Sequence, residues 1–328
     1  MVFNSLITEL NKADRIAILP HISADGDSLG SSFALGMALK KMNKQVVVFL
    51  EEPIPYIFDF LPGKELSRVY LEERQDKDNV AFDLVVALDT GSLDRLGKRV
   101  SVFNNARVTL NIDHHSTNSE FAQVNYVEMD VSSVGEIIYR LLKSMNIYID
   151  KDIATCLYVS ISTDTGGFRY SNTRPETHRI AAELIENDIN VAEISQRVFE
   201  TCSLEKVKLM AHAINSLQIY YNGKVAVIAI TDEIIKSVGA REEDSEGLVN
   251  IGRSIQGIEV AVMLKENSDD TVKVNLRSNN YFDVAAVANF FSGGGHKRAA
   301  GCVIKASLEE AKAMLLDKIK SALDELIE

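Results

Sequence analysis

Short apolar runs rich in β-branched residues recur through the first third of this chain, and most of them stop at a turn carrying an acid or a histidine. Residues 15–21 (RIAILPH), 45–50 (QVVVFL), 83–88 (DLVVAL) and 107–112 (RVTLNI) are each about one strand long. Runs that are apolar throughout, instead of alternating, belong to parallel strands covered on both faces. Residues 28–41 read as a helix between the first two runs. Strands alternating with helices give an α/β fold built on a doubly wound, mostly parallel sheet. From about residue 133 the pattern becomes helical. Ser133-Val-Gly-Glu136 reads as a capping box, residues 153–161 are apolar nearly all round and belong to a buried helix, and residues 175–186 form an amphipathic helix that opens on Pro175.

A length of 328 residues exceeds a usual single core, so two domains are expected. We place a first domain at 1–190, a helical connection at 191–205 and a smaller α/β second domain at 206–328. The second half restarts with strands at 224–230, 258–264 and 272–277. A helix at 283–291, a Gly-rich loop at 293–295, a strand at 302–305 and a terminal helix at 307–327 follow. That last helix carries Leu308, Ala311, Leu315, Ile319 and Leu323 at core-packing spacing. A net charge of −12 excludes a protein that coats long nucleic acid through a basic surface. It leaves room for a small phosphate ester held by metal ions, because a bound ion inverts the local charge. No apolar run approaches the ~18 residues of a membrane span, and the first ten residues lack the apolar core of a signal peptide. Cys156, Cys202 and Cys302 have no metal-knuckle spacing and read as small buried hydrophobes, consistent with a reducing cytoplasm.

Candidate ligands stand where the apolar runs end. They are His21, Asp25 and Asp27, then Asp89, then Asp113-His114-His115, and lastly Asp164 at the end of the buried helix. Ligands of open α/β sheets collect at the carboxyl ends of strands. Gly26 would let the backbone bend so that Asp25 and Asp27 face one pocket. Each acid alone could be a turn or a helix cap; four such clusters in one domain point to a shared site. Carboxylates suit hard divalent ions, and imidazole shifts the preference toward Mn2+ or later metals. His178 and His212 lie on helices and read as structural. In the second half, Gly293–Gly295 permits close backbone approach to a phosphate. His296 and Arg298 add donors, and Arg277 could grip a phosphate through two parallel hydrogen bonds.

These motifs resemble the DHH phosphoesterase superfamily over almost the whole chain. Asp113-His114-His115 is similar to its name-giving motif, and His21…Asp25-Gly26-Asp27 to its first motif. Asp89 and Asp164 match two further acidic positions. Arg277-Ser278 and Gly293-Gly-Gly-His296-Lys-Arg298-Ala-Ala-Gly301 are similar to the DHH-associated substrate domain. Ser23-Ala24 departs from the proline that members often carry there. The resemblance implies two divalent ions, with Mn2+ ahead of Mg2+ or Co2+. His21, Asp25 and Asp89 would hold one, and Asp27, Asp89, His114 and Asp164 the other. His115 would touch the scissile phosphate, and Asp113 would orient a histidine. Arg277, Gly294, Gly295, His296 and Arg298 would bind substrate, with the active site in the cleft between the domains. The layout is most similar to the bifunctional oligoribonucleases, or nanoRNases, that also dephosphorylate pAp. The implied activity is a metal-dependent phosphodiesterase for short RNA, acting in the cytoplasm, with no long duplex or membrane as partner and a homodimer left open. Hydrolysis of cyclic di-AMP or of linear dinucleotides such as pApA and pGpG is the enzymatic alternative. A non-catalytic nucleotide-binding module is the alternative of a different class, and the filled ligand positions count against it.

Overall fold

The computed structural model describes residues 3–71, 81–267 and 270–326. They divide into two compact units, Met1–Thr201 and Cys202–Glu328.

The first unit is built on a six-stranded sheet: β1 (Arg15–Pro20), β2 (Gln45–Leu50), β3 (Ser67–Val69), β4 (Leu84–Leu88), β5 (Val108–Asp113) and β6 (Val124–Val127). Their spatial order is β3-β2-β1-β4-β5-β6, and every neighbouring pair is parallel. The apolar runs are continuous because both faces are covered. Ile16, Ile18, Val86, Leu88 and Ile112 point into one core. Ala17, Leu19, Val85 and Ala87 point into another, closed by Leu96, Val102 and Phe103. The larger core is built with α1 (Asn4–Lys12), α2 (Gly26–Lys41), α4 (Val134–Ser144), α5 (Lys151–Asp164) and α6 (Pro175–Ile185); α3 (Val100–Asn104) lies with the smaller one. Helix α1 and strands β3 and β6 are additions to the sequence reading.

Three glycines set how closely the helices meet. A Cβ on Gly26 would fall 2.4 Å from the Thr163 side chain, and one on Gly30 would fall 2.4 Å from the Cys156 carbonyl oxygen. One on Gly135 would fall 2.0 Å from Ser160 Oγ. Gly26 therefore serves helix–helix approach and not the loop bending expected of it; it is already the first residue of α2. The capping box at Ser133 is half made. Ser133 Oγ accepts from Glu136 N, but the Glu136 carboxylate turns to Ser132 and Thr177 instead of the cap backbone.

The second unit carries β7 (Gln218–Tyr220), β8 (Val225–Ile230), β9 (Val260–Glu266), β10 (Val272–Ser278), β11 (Gly294–His296) and β12 (Ala299–Ile304). The order is β11-β12-β10-β9-β8-β7, antiparallel except for the β8–β9 pair. The Gly-rich segment expected as a loop is thus mostly an edge strand. Helix α7 (Val284–Phe290) and the terminal helix α8 (Leu308–Asp324) supply one core, with Ala311, Leu315, Ile319 and Leu323 buried as their spacing implied. Residue 327, the expected end of that helix, lies outside the described residues. Cys156 and Cys302 are buried, but Cys202, at the boundary between the units, is exposed and so corrects the sequence reading.

Candidate metal centre

Strand register assembles the first unit's site. Pro20 pairs with Leu88, and Leu88 with Ile112. Pro20, Leu88 and Ile112 therefore stand in one row, with His21, Asp89 and Asp113, the last residue of β5, following them. The order reverses between β1 and β4, the switch point where open α/β sheets place ligands. Asp89 adopts a left-handed backbone (φ 55°), which aspartate tolerates better than most residues.

The helices bring the other acids. Asp25 is the N-cap of α2: its Oδ1 accepts from Ser28 N at 3.0 Å, and Ser28 Oγ accepts from Asp25 N at 3.0 Å. Capping and site duties coincide in one residue. Asp27, 1% exposed, accepts from Val134 N at 2.8 Å and Gly135 N at 3.2 Å, the first two residues of α4, and from Ser160 Oγ. A buried anion at a helix N-terminus meets orphan N–H groups and a favourable dipole. Asp164 closes α5.

Nε2 of His21 lies 3.6 Å from Asp25 Oδ1 and 3.5 Å from Asp89 Oδ2. Nε2 of His114 lies 3.8 Å from Asp27 Oδ2, 3.5 Å from Asp89 Oδ1 and 3.6 Å from Asp164 Oδ2. These gaps are too long for good hydrogen bonds. The His21 ring is oriented by a 2.6 Å contact from Nδ1 to the Ile22 carbonyl; a carbonyl only accepts, so Nδ1 carries a proton and Nε2 is the nitrogen that faces Asp25 and Asp89. Nδ1 of His115 bonds Asp113 Oδ1 at 2.7 Å.

The electrostatics are frustrated. Burial, and then the charge of Asp89, pushes both Asp27 and Asp164 well above the usual aspartate range. Burial opposes a charged His21, yet Asp25 and Asp89 outweigh it and hold the imidazole well above its usual range. Burial depresses His114. It also opposes a charged His115, but Asp113, Asp89 and Asp164 lift that imidazole to about 9. Asp89 Oδ1 is buried with no hydrogen-bond partner. Three donor sets, each spanning at most 4.8 Å, overlap here: Asp89, His114 and His115; His21, Asp25 and Asp89; Asp27, His114 and Asp164. An orphaned carboxylate oxygen among imidazole and carboxylate donors fits a divalent cation.

In the second unit, Arg277 and His296 both pair in register with Ala299, on either side of β12. Residues in one row across a sheet share a face, so the Arg277 and His296 side chains lie on the same side of it. Arg298 instead donates through Nη1 to the Phe282 carbonyl at 2.8 Å. Gly294 is exposed. Gly293 and Gly295 both exclude a side chain: a Cβ would fall 2.2 Å from the Gly301 carbonyl oxygen at the first and 2.5 Å from the Ala299 carbonyl oxygen at the second, where φ is 138°.

Several site residues escaped the sequence reading. Asn118 Nδ2 donates to Asp113 Oδ2 and to Asn111 Oδ1. Asn172 Nδ2 donates to the carbonyls of Ser132 and Asp164, and Arg95 Nη2 lies 3.2 Å from His21 Nδ1. The available signal was polarity inside apolar elements: Asn111 in mid-strand and Ser160 in mid-helix, both fully buried.

Residues 15–161 match the DHH family, N-terminal domain, and residues 222–325 match the DHHA1 domain. The bifunctional oligoribonuclease and PAP phosphatase NrnA of Thermus thermophilus is 31% identical over 97% of this chain and 94% of its own length. The chain belongs to the DHH phosphoesterase family. A second relative, the protein of the same name from Bacillus subtilis, is 27% identical over 95% of this chain and 96% of its own. Among solved structures, an exopolyphosphatase-related protein from Bacteroides fragilis superposes with a TM-score of 0.89 at 29% identity, covering 99% of this chain and 96% of that one. DHH phosphoesterases are metal-dependent hydrolases, and the clustered donors of this chain are suited to that chemistry.

Proposed function

We propose that this DHH phosphoesterase degrades short RNA oligonucleotides to mononucleotides and removes the 3′-phosphate of pAp, using two divalent ions, with Mn2+ preferred over Mg2+ or Co2+. The observation that carries the reading is the Asp89 carboxylate. Its Oδ2 faces His21 and its Oδ1 faces His114 at 3.5 Å each, the arrangement expected of a group shared by two ions. His21, Asp25 and Asp89 would hold one, and Asp27, Asp89, His114 and Asp164 the other. Bound there, the ions would lower the pKa of water and polarise the phosphoryl oxygens.

The remaining side chains handle substrate and proton. Asp113 fixes the His115 ring through Nδ1, and Nε2 would then meet a phosphate oxygen. In the metal-free protein Asp113, Asp89 and Asp164 lift the His115 imidazole to about 9 against the cost of burial; with a proton on Nε2 it would offset charge on the phosphate or protonate the leaving oxygen. Asn118 in turn positions Asp113. Arg277, His296, Arg298 and the backbone of Gly294 and Gly295 would grip a further phosphate, with Arg298 also tied through Nη1 to the Phe282 carbonyl. Net charge of −12 and the absence of tryptophan favour short oligomers over long single strands, which need an extended cationic track with stacking aromatics. No helix of the described residues is long and apolar enough to cross a membrane; short RNA and pAp as substrates would place the enzyme in the cytoplasm.

The test is a substrate panel with Mn2+: an RNA dinucleotide, a short oligomer, a long strand, pAp, cyclic di-AMP and pyrophosphate. Turnover of the dinucleotide, the short oligomer and pAp, lost in Asp89→Ala, is the expected result. Turnover confined to pyrophosphate would overturn the reading, and a dominant rate on cyclic di-AMP would replace the substrate.

A further inference from the structure

The roles above account for phosphate, metal and proton but assign nothing to a nucleobase. The turn after Asp164 has the chemistry for one. Gly166, Gly167 and Phe168 take left-handed backbone in succession (φ 58°, 70° and 64°). The turn winds tightly around Thr165: Phe168 N donates to Thr165 Oγ1 at 3.0 Å, and Arg169 N and Tyr170 N donate to Thr165 O at 2.9 and 3.0 Å. Left-handed backbone at a phenylalanine is strained and needs a surrounding structure that enforces it.

What the strain achieves is the placement of three side chains. The Tyr170 ring lies directly over Gly166, where any Cβ would come within 2.3 Å of it. Arg169 Nε, which donates to the Gly166 carbonyl, and the Phe199 ring edge each stand 3.8 Å from the Cβ position of Gly167. Phe199 arrives from a π-helical turn, Gln196–Glu200, a rare backbone form frequent at functional sites. Phe168 is used differently, packing against Tyr158 and His178. Tyr170 and Phe199 remain 38% and 41% exposed. Two partly exposed aromatics and a guanidinium thus border one pair of glycines. Asp164 lies two residues upstream, and Asn172 ties the far side of the turn to the Asp164 carbonyl at 3.1 Å.

We infer that Tyr170, Phe199 and Arg169 form a stacking subsite for the base of the nucleotide whose phosphate reaches the Asp164 cluster. Aromatic and guanidinium planes hold bases of any sequence, as a nuclease of mixed short RNA requires. The assignment rests on the phosphodiesterase reading and adds the part of the substrate that this unit recognises.

The experiment pairs an RNA dinucleotide with its abasic counterpart, in which the bases are replaced by hydrogen. Tyr170→Ala and Phe199→Ala should each raise KM for the dinucleotide about ten-fold and leave KM for the abasic substrate unchanged, with Tyr170→Phe matching the parent enzyme. Equal shifts on both substrates, or none on either, would overturn the subsite. Irradiation of the enzyme with a dinucleotide carrying a photoreactive uracil, followed by peptide mapping, gives a readout independent of turnover. An adduct on Tyr170 or Phe199 supports the subsite. Adducts confined to other residues while the dinucleotide is still hydrolysed would overturn it and leave the phosphodiesterase reading intact. Neither adduct nor hydrolysis would remove both.

Discussion

Two buried carboxylates, one in each unit, sit in opposite surroundings. Glu259 is 2% exposed and accepts from the backbone N–H groups of Asn280, Tyr281 and Phe282 and from the Asn280 amide, at 2.7 to 3.2 Å. Burial works against its charge, but those donors hold it below the usual glutamate range. Asp89 is 3% exposed. One of its oxygens has no hydrogen-bond partner, and its charge destabilises the ionised forms of Asp27 and Asp164. Burial alone therefore says little about an acid. A carboxylate whose lone pairs are all met is part of the scaffold, and one held among other acids is matched to a cation.

The largest effect should come from removing the shared acid. Asp89→Ala should lower kcat/KM on the order of a thousand-fold and lose bound metal in the same preparation, checked by steady-state kinetics and metal analysis. Full metal content with full turnover would break the comparison at its root. In the second unit, Arg277→Ala or His296→Ala should raise KM by about ten- to a hundred-fold, the worth of a charge-assisted hydrogen bond, with metal content unchanged.

Stability should respond with opposite signs at the two acids. Glu259→Gln should cost about 2 kcal/mol, because buried N–H donors lose their anionic acceptor. Asp89→Asn should raise the melting temperature of metal-free protein by relieving repulsion. Denaturant and thermal melts check both, and the same sign for the two would erase the distinction.

A smaller effect belongs to pH. Asp27 and Asp164 have raised folded-state pKa values, so the folded state binds their protons more tightly. Their contribution to the metal-free protein is present at acid pH and is lost as pH rises through those folded values. Glu259, lowered in the folded state, contributes above the usual glutamate range and loses that contribution as pH falls through its folded value. Metal-free protein should therefore be most stable on the acid side of neutral, and Mn2+ should stabilise it more at neutral than at acid pH. Melts across pH with and without Mn2+ test this; parallel profiles would count against it.

The parallel sheet and the residues at its strand ends were legible because one physical cause produces both. Continuous β-branched runs mean two-sided burial, and each must end where a polar loop begins. The edge strand Gly294–His296 was not legible, because glycine has no strand preference and pairing with β12 is decided by residues distant in sequence. Glu136 likewise follows the capping-box pattern, but Thr177, far along the chain, competes for its carboxylate. Asn118 and Asn172 carry no local pattern at all; their partners become neighbours only after the sheet and α5 have closed. Cys202 stands between Thr201 and Ser203, at the boundary between the units, and is exposed.

Calorimetric titration of metal-free protein with Mn2+ probes the shared Asp89 carboxylate without any substrate. Parent protein should bind about two ions per chain, and Asp89→Asn should lose at least one and bind any other far more weakly. Parent protein that binds no Mn2+, or a variant whose stoichiometry and affinity equal the parent's, would contradict that sharing.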